Sequence, residues 1–242
     1  MVSPKELTAP APTDQNAPFW PVRFRLTKDG PLVYISHLDF VRTIQKALVR
    51  AGLPLWYTRG YNPIPKITFA APLSIGMSSE CELMDVRMDR PVDPAGAQAA
   101  LAACLPPHVT VTDAYLPTAR LSEIGALSYD MRLCREGLAP GHVARAQALL
   151  DAEHIYVEKK GKAGLHTVDI RPLILSARLC WDEPSGEIRG RLLLSASPSA
   201  FLSPESVLSA LRSDPALLPP DALTYCAFHR VEVYTPSLAP FR

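Results

Sequence analysis

The sequence predicts an α+β protein made of two tandem ferredoxin-like domains, each an antiparallel sheet formed from a split βαβ pattern. The first half alternates strand-like and helix-like segments in the order β-α-β-β-α-β, which is the order of that fold. The second half reads as a similar alternation of helices and β-hairpins. A chain of 242 residues with 48% hydrophobic residues is long enough for two domains that each bury a core.

Composition sets the predicted boundaries. Residues 1–18 are rich in Pro, Ala and polar residues, which predicts a disordered tail. We place the N-terminal ferredoxin-like domain at 19–125 and the C-terminal α+β domain at 126–242. The two halves share no sequence repeat, so the duplication rests on the order of predicted elements alone.

The N-terminal domain opens with PVRFRLTK, whose alternation predicts a half-buried strand with Arg23 and Arg25 facing away from the core. Ser36 is a suitable N-cap and Asp39 follows three residues later, so a helix should run to about Ala51. The predicted core stripe of that helix is Leu38, Val41, Ile44 and Leu48. The remaining elements are the strands LWYT, KITFAAPL, CELMDVRMD and VTVTDAYL and an Ala-rich helix, PAGAQAALAACL.

The C-terminal domain contains two predicted helices, GHVARAQALLDA and SPESVLSALRS, the second with Ser203 as its N-cap. The predicted strands are ALSYDMRLC, IYVEKK, TVDIRPLILSARLCW, EIRGRLLLSAS and LTYCAFHRVEVY.

Composition excludes several classes of protein. No apolar run approaches the roughly 20 residues that span a bilayer. The N-terminus lacks the apolar core of a signal peptide, so we expect a cytoplasmic protein. The five cysteines are far apart and have no zinc or iron–sulfur spacing. We therefore predict reduced thiols, no metal site and no bound cofactor.

Positive charge is concentrated in residues 20–66, which hold eight cations against two anions although the whole chain has a net charge of only +1. Such segregation indicates a basic face. The expected members are Arg23 and Arg25 on the open face of the sheet, Arg42 and Lys46 on the first helix, and Arg59 and Lys66 beyond it. Open sheet faces of this fold hold RNA in the RRM. The alternative is a face that is solvated or covered.

The segment RGYNPIPK, residues 59–66, predicts a preformed binding loop. Two prolines restrict its backbone, so it loses little entropy on binding, and Gly60 permits a turn with positive φ. Aromatic side chains among cations suit base stacking beside phosphate contacts. The residues concerned are Tyr57, Arg59, Tyr61, Asn62 and Lys66. The alternative is a stiff turn in which Trp56 is simply a core residue.

A second basic segment spans residues 157–174, where Lys159, Lys160 and Lys162 form a predicted hairpin tip. Asp169 is expected to pair with Arg171 and orient it, and Arg178 adds to the local positive charge. The alternative is an ordinary solvated loop.

His37 is the one weak candidate for a catalytic residue, because the helix dipole at its position favours a neutral imidazole that could act as a general base. No second acid or base is recognisable, and the chain has no P-loop, GxSxG or GxGxxG motif. The alternative is a structural histidine beside a helix cap.

The stretches YISHLDFVRTIQKALVRAGLP, YTRGYNPIPKITFAAPLSIGMSSECELMDV and VDIRPLI resemble a bacterial radical-SAM-linked family of unknown function. Its members form the C-terminal part of a radical SAM protein or a separate partner to one. They typically read QGFNPHPK at the loop, where this chain has Arg59 and Ile64 in place of the glutamine and the histidine.

The resemblance implies a radical SAM protein as partner, and it raises RNA, including ribosomal or other structured RNA, as a substrate. This chain lacks a CxxxCxxC cluster motif, so the radical chemistry would belong to the partner. Three hypotheses follow. The first is a non-catalytic RNA-binding accessory protein that presents substrate to the radical SAM enzyme. The second is a subunit that docks that enzyme without RNA contact. The third is a metal-independent RNA-processing enzyme that uses His37.

Overall fold

The computed structural model describes residues 18–59, 61–161 and 164–242. Within these residues the chain is mixed α+β, which confirms the α+β part of the predicted fold class. It divides into two compact units. Unit 1 takes the residues up to Ile75 together with Glu82–Thr118, and unit 2 takes Gly76–Cys81 and Ala119–Arg242. Residues 1–17 of the predicted tail, Gly60 and Lys162 lie outside the described residues.

The first elements in chain order are β1 (Trp20–Lys28), α1 (His37–Arg50), β2 (Ile67–Phe69), β3 (Ser78–Met88), α2 (Pro94–Ala102) and β4 (Val111–Tyr115). A 3₁₀ helix at Gly30–Tyr34 precedes α1. The strands of unit 1 neighbour one another in the order β4-β1-β3-β2. The segment LWYT, predicted as a strand, forms only isolated bridges at Leu55 and Tyr57.

Helix α1 begins where the capping pattern predicts, because the Ser36 hydroxyl accepts a hydrogen bond from the backbone N–H of Asp39 at 3.1 Å. Its core stripe differs from the prediction. Phe40, Ile44, Ala47 and Leu48 are buried, whereas the side chain of Leu38 is 65% exposed. The Phe40 ring packs against Phe69 of β2 with centroids 5.7 Å apart, on the inward face of α1.

The remaining elements, all in unit 2, are β5 (Ala126–Arg135), α3 (Gly141–Asp151), β6 (Tyr156–Gly161), β7 (Gly164–Asp169), β8 (Ile174–Asp182), β9 (Glu187–Ser197), β10 (Ala200–Phe201), α4 (Pro204–Arg212) and β11 (Thr224–Tyr234). The main strand order is β8-β9-β5-β11, antiparallel throughout. Strands β6 and β7 form a separate hairpin. The first residues of β3 pair with β11 in parallel, with Ser78 opposite His229.

The predicted long strand TVDIRPLILSARLCW is interrupted. It forms the end of β7, a 3₁₀ turn at Arg171–Leu173, and β8. Pro172 explains the break, because it has no N–H for a strand ladder and its ring fixes φ. The break leaves β6 and β7 as an independent hairpin and makes β8 a partner of β9.

Candidate functional site

One face of the sheet in unit 2 carries exposed arginines, and we call it the arginine face. Its members lie on four adjacent strands at alternating positions. They are Arg178 of β8, Arg189 and Arg191 of β9, Arg132 and Asp130 of β5, and Tyr225 of β11. The register aligns them into rows, with Arg178 opposite Arg191 and Arg191 opposite Asp130. The side chains of Arg191, Arg132 and Arg189 are 55%, 51% and 47% exposed.

The intervening residues of the same strands face the opposite way and are buried, among them Met131, Leu192 and Phe228. Because side chains alternate across a strand, this burial forces the arginines to the other face. Gly190 lies between the two arginines of β9. A Cβ atom there would come within 2.5 Å of the Leu179 side chain, so glycine leaves room for that side chain beside β9.

Three of the four arginines are paired with carboxylates on the same face. Arg132 donates two hydrogen bonds to Glu187, at 2.9 and 3.0 Å. This pair lowers the pKa of Glu187 and raises the pKa of Arg132. Arg191 lies 2.5 Å from Asp130, and Arg189 lies 3.0 Å from Asp182. These guanidinium groups are about half exposed, so exchanging a carboxylate for another anion costs little.

Arg178 differs from the other three, since no ion pair to it is present among the described residues. It is exposed and lies at the end of the row that Asp130 and Arg191 form. The arginine face therefore carries an excess of positive charge at its β8 side.

Ser78, His229 and Glu80 form a hydrogen-bonded row beside this face. The Ser78 hydroxyl lies 2.7 Å from Nδ1 of His229, and Nε2 of His229 lies 3.0 Å from Oε1 of Glu80. A serine, a histidine and a carboxylate also form hydrolase triads, but there the serine contacts Nε2 and the carboxylate is buried. The Glu80 side chain is 61% exposed. The row is better explained as a polar tie between β3 and β11.

The predicted open basic face of unit 1 is wrong for Arg23. Its side chain is fully buried, and it donates two hydrogen bonds to Asp85 on β3, at 2.6 and 2.9 Å. Because β1 neighbours β3, the carboxylate of Asp85 lies beside the guanidinium of Arg23. Arg23 is therefore unavailable to a ligand. Arg25 is half-buried and lies opposite Asp113 of β4.

The loop at residues 59–66 is held at its base by backbone hydrogen bonds. The N–H of Thr58 donates to the carbonyl of Ile64 at 2.9 Å, and the N–H of Lys66 donates to that of Trp56, also at 2.9 Å. Trp56 is 2% exposed, as the alternative interpretation predicted for it. Arg87 stacks on Trp56 and on Phe19, with its guanidinium 5.5 and 4.0 Å from the two ring centroids.

The side chains of this loop divide into anchored and exposed groups. Tyr57 is half-buried, and burial raises its pKa. Tyr61 is fully exposed and Ile64 is 50% exposed. Arg59, Asn62 and Lys66 are also exposed. The structure thus brings the predicted loop residues onto one short surface segment, with Tyr61 at its most accessible point.

The cations of α1 are exposed, as predicted. Arg42 lies 3.1 Å from Asp39, whose pKa is lowered by hydrogen bonds from Ser36 and then from Arg42. Lys46 lies one turn further along α1.

The half-buried ring of His37 packs edge-on against Phe69, with centroids 5.5 Å apart. This contact supports the structural interpretation of His37.

In the β6–β7 hairpin, Lys159 lies opposite His166 and Lys160 lies opposite Leu165. The predicted pair between Asp169 and the Arg171 side chain is wrong. One carboxylate oxygen of Asp169 accepts from the backbone N–H of Arg171 and the other contacts His154, while the Arg171 guanidinium donates to the carbonyl of Ile174 at 2.9 Å. The turn at Pro172 brings the backbone, rather than the side chain, to Asp169.

Sequence reasoning missed most of the arginine face. It did not select Arg132, Arg189 or Arg191, and it counted Arg178 only in the charge of the neighbouring hairpin. A signal was present, because EIRGRLLLS and YDMRLC both place charged residues two apart.

No group of three or more potential metal ligands occurs within the described part of the chain. No described helix is long and apolar enough to cross a membrane.

The chain belongs to DUF2344, a family described as an uncharacterized protein conserved in bacteria, which it matches over residues 22–204. The match agrees with the predicted bacterial family of unknown function. No curated protein matches the chain.

Three similar solved structures have low scores. The crystal structure of a Cbf5-Nop10-Gar1 complex aligns with a TM-score of 0.46 and 13% identity, covering 88% of this chain and 48% of that chain. This chain therefore spans about half the length of the matched chain of that complex. DyPB from Rhodococcus jostii RHA1 aligns with a TM-score of 0.20 and 10% identity over 86% and 92% of the two chains. An encapsulated DyP-type peroxidase from Mycobacterium smegmatis aligns with a TM-score of 0.21 and 10% identity, covering 95% of this chain and 97% of that chain.

Proposed function

We propose that this protein is a non-catalytic RNA-binding accessory protein, and that the arginine face contacts the RNA. The observation that carries the proposal is the alignment of exposed arginines on adjacent strands, with Tyr225 57% exposed on the same face. Arginine contacts phosphates and stacks on bases, and an exposed aromatic ring offers a further stacking surface.

The proposal includes the finer fold assignment, in which each unit is ferredoxin-like. The strand orders β4-β1-β3-β2 and β11-β5-β9-β8 both correspond to the order expected for a split βαβ sheet, with the β6–β7 hairpin as an insertion in unit 2. In such a fold the helices cover one side of the sheet, and the other side is available for single-stranded RNA.

The chemistry of the arginine face favours RNA over protein as its ligand. The centres of protein interfaces are depleted in charged residues. Here the central positions of the face are arginines and carboxylates, and the apolar residues of the same strands are buried on the other side. Phosphates can replace the paired carboxylates as partners of half-exposed guanidinium groups.

The test is a fluorescence-anisotropy titration of a labelled single-stranded RNA of mixed sequence. We expect the double variant Arg189→Ala/Arg191→Ala to bind about tenfold more weakly, since two charge-assisted contacts are removed. Arg145→Ala is the matched control, because Arg145 is 53% exposed and paired with Asp214 but lies on α3. An equal loss in the control, or no binding at low salt by the unchanged protein, would overturn the proposal.

The 59–66 loop supports a second function, the docking of a radical SAM protein to which the RNA is presented. The specific observation is the combination of a fully exposed Tyr61 with a half-exposed Ile64 on a loop closed by hydrogen bonds. Tyrosine is enriched among the residues that dominate protein–protein binding. The partner class itself comes from the family resemblance.

Co-purification with a co-expressed radical SAM protein, carried out after nuclease treatment, tests the docking function. We expect Tyr61→Ser to abolish co-purification. Tyr34→Ser is the control, because Tyr34 is another exposed tyrosine, at 73%, but lies outside the loop, before α1. Complex formation that nuclease removes, or that Tyr61→Ser leaves intact, would contradict docking through this loop.

A further inference from the structure

A small cavity lies in unit 2 where the end of α3 meets the beginning of β8. Its volume is about 190 Å³. Arg171, Ser176, Ala177 and Arg178 contribute to its lining, together with Asp151 at the end of α3. Cavities that hold drug-sized ligands usually exceed about 300 Å³, so this one suits a small group.

One of the two arginines that line the cavity, Arg171, is held by the cavity wall itself. The Arg171 guanidinium donates to the carbonyl of Ile174, which also lines the cavity. Arg178 lies at the β8 side of the arginine face and forms no ion pair among the described residues. Two arginines therefore line one small space, and Ser176 is a further polar residue of the lining.

The edge of β8 offers a backbone donor to the same space. Gln147 of α3 donates to the carbonyl of Ala177 at 3.1 Å and accepts from the N–H of Leu179 at 3.0 Å. These contacts show that the polar groups of both residues point away from β9. Since the N–H and carbonyl of one strand residue point the same way, the N–H of Ala177 also faces outward at the cavity.

The negative groups near the cavity are outnumbered. The Asp151 carboxylate accepts a hydrogen bond from the Gln147 amide at 3.0 Å, and α3 ends at this residue, where its dipole is negative. Two arginines in the lining against one carboxylate and a partial dipole charge leave the surroundings of the cavity positive. An anion that carries more than one charge gains most from such a site.

We infer that this cavity binds the terminal phosphate of an RNA strand that lies across the arginine face, an inference that rests on the proposed function. A terminal phosphate monoester carries about −1.5 to −2 charges and three free oxygens, whereas an internal phosphodiester carries one charge. The cavity adjoins the end of the face at Arg178, so a chain end can enter it while the preceding nucleotides remain on the sheet.

The experiment compares one RNA sequence in three forms, with a 5′-phosphate, with a 3′-phosphate and with hydroxyl groups at both ends. We expect one phosphorylated form to bind about tenfold more tightly than the hydroxyl form. Arg171→Gln should reduce this ratio to about one. Ser176→Ala serves as a second variant that preserves the Arg171–Ile174 contact, and it should lower the ratio in part.

Equal affinity for all three RNAs would overturn the terminal-phosphate site while leaving RNA binding intact. Absence of binding to every RNA would overturn the proposed function as well. Removal of the preference by micromolar inorganic phosphate would assign the cavity to free phosphate and overturn the RNA-end assignment.

Discussion

Replacing Asp85 with alanine removes the carboxylate that binds Arg23 and tests whether that arginine is sequestered. Arg23 is fully buried, whereas the Asp85 side chain is 23% exposed. Asp85→Ala leaves a buried guanidinium without its bidentate partner, which costs about 3–5 kcal/mol of unfolding free energy. Arg23→Met keeps the apolar stem and leaves a carboxylate that water can reach, so its cost should be about 1–2 kcal/mol.

Urea unfolding followed by far-UV circular dichroism measures both variants. The account predicts that Asp85→Ala is the less stable of the two and that folded Arg23→Met binds RNA as tightly as the unchanged protein. The reverse order of stability would refute the burial argument. Weaker RNA binding by Arg23→Met would restore the original prediction that Arg23 contacts phosphate.

Three further predictions concern the core, an acidic transition and cysteine reactivity. Trp56→Ala should destabilise unit 1 by about 3–5 kcal/mol because the side chain is 2% exposed, as chemical denaturation can measure. Hydrogen bonds from His154 and two backbone N–H groups lower the pKa of Asp169 to about 2 from 3.8. Its stabilising contribution should be complete above pH 3.8 and lost as the pH falls through about 2, and Asp169→Asn should flatten this part of a thermal-midpoint profile. Burial raises the pKa of Cys226 to about 12, so iodoacetamide near neutral pH should modify the exposed Cys180 first, as peptide mass spectrometry would show. Faster modification of Cys226 than of Cys180 would contradict this expected order of reactivity.

The sequence predicted elements well where the cause is local. Helix α1 begins after Ser36 and α4 begins after Ser203, because each serine hydroxyl accepts from the backbone of the first turn. The break before β8 was also local in origin, since Pro172 cannot join a strand ladder, but the apolar run around it outweighed that signal in the prediction. Propensity alone did not separate the two strands.

The candidate sites depend on register, which a single strand does not reveal. Alternation correctly placed Arg23 on the face of β1 opposite the core, yet Arg23 is fully buried there and the neighbouring strand supplies Asp85 as its partner. Conversely, Arg178 and Arg191 lie on different strands and become neighbours only through the β8–β9 pairing. The 59–66 loop was predictable because its prolines, Tyr61 and its cations are contiguous in the sequence.

The salt dependence of RNA binding tests the central claim most directly. If all four arginines of the arginine face contact phosphates, the slope of log K against log salt should be about −2.8, and Arg189→Ala/Arg191→Ala should reduce it to about −1.4. Between about 50 and 200 mM salt, affinity should then fall about 50-fold for the unchanged protein and about sevenfold for the variant. Equal slopes for the two proteins would show that RNA does not contact these arginines and would contradict the account.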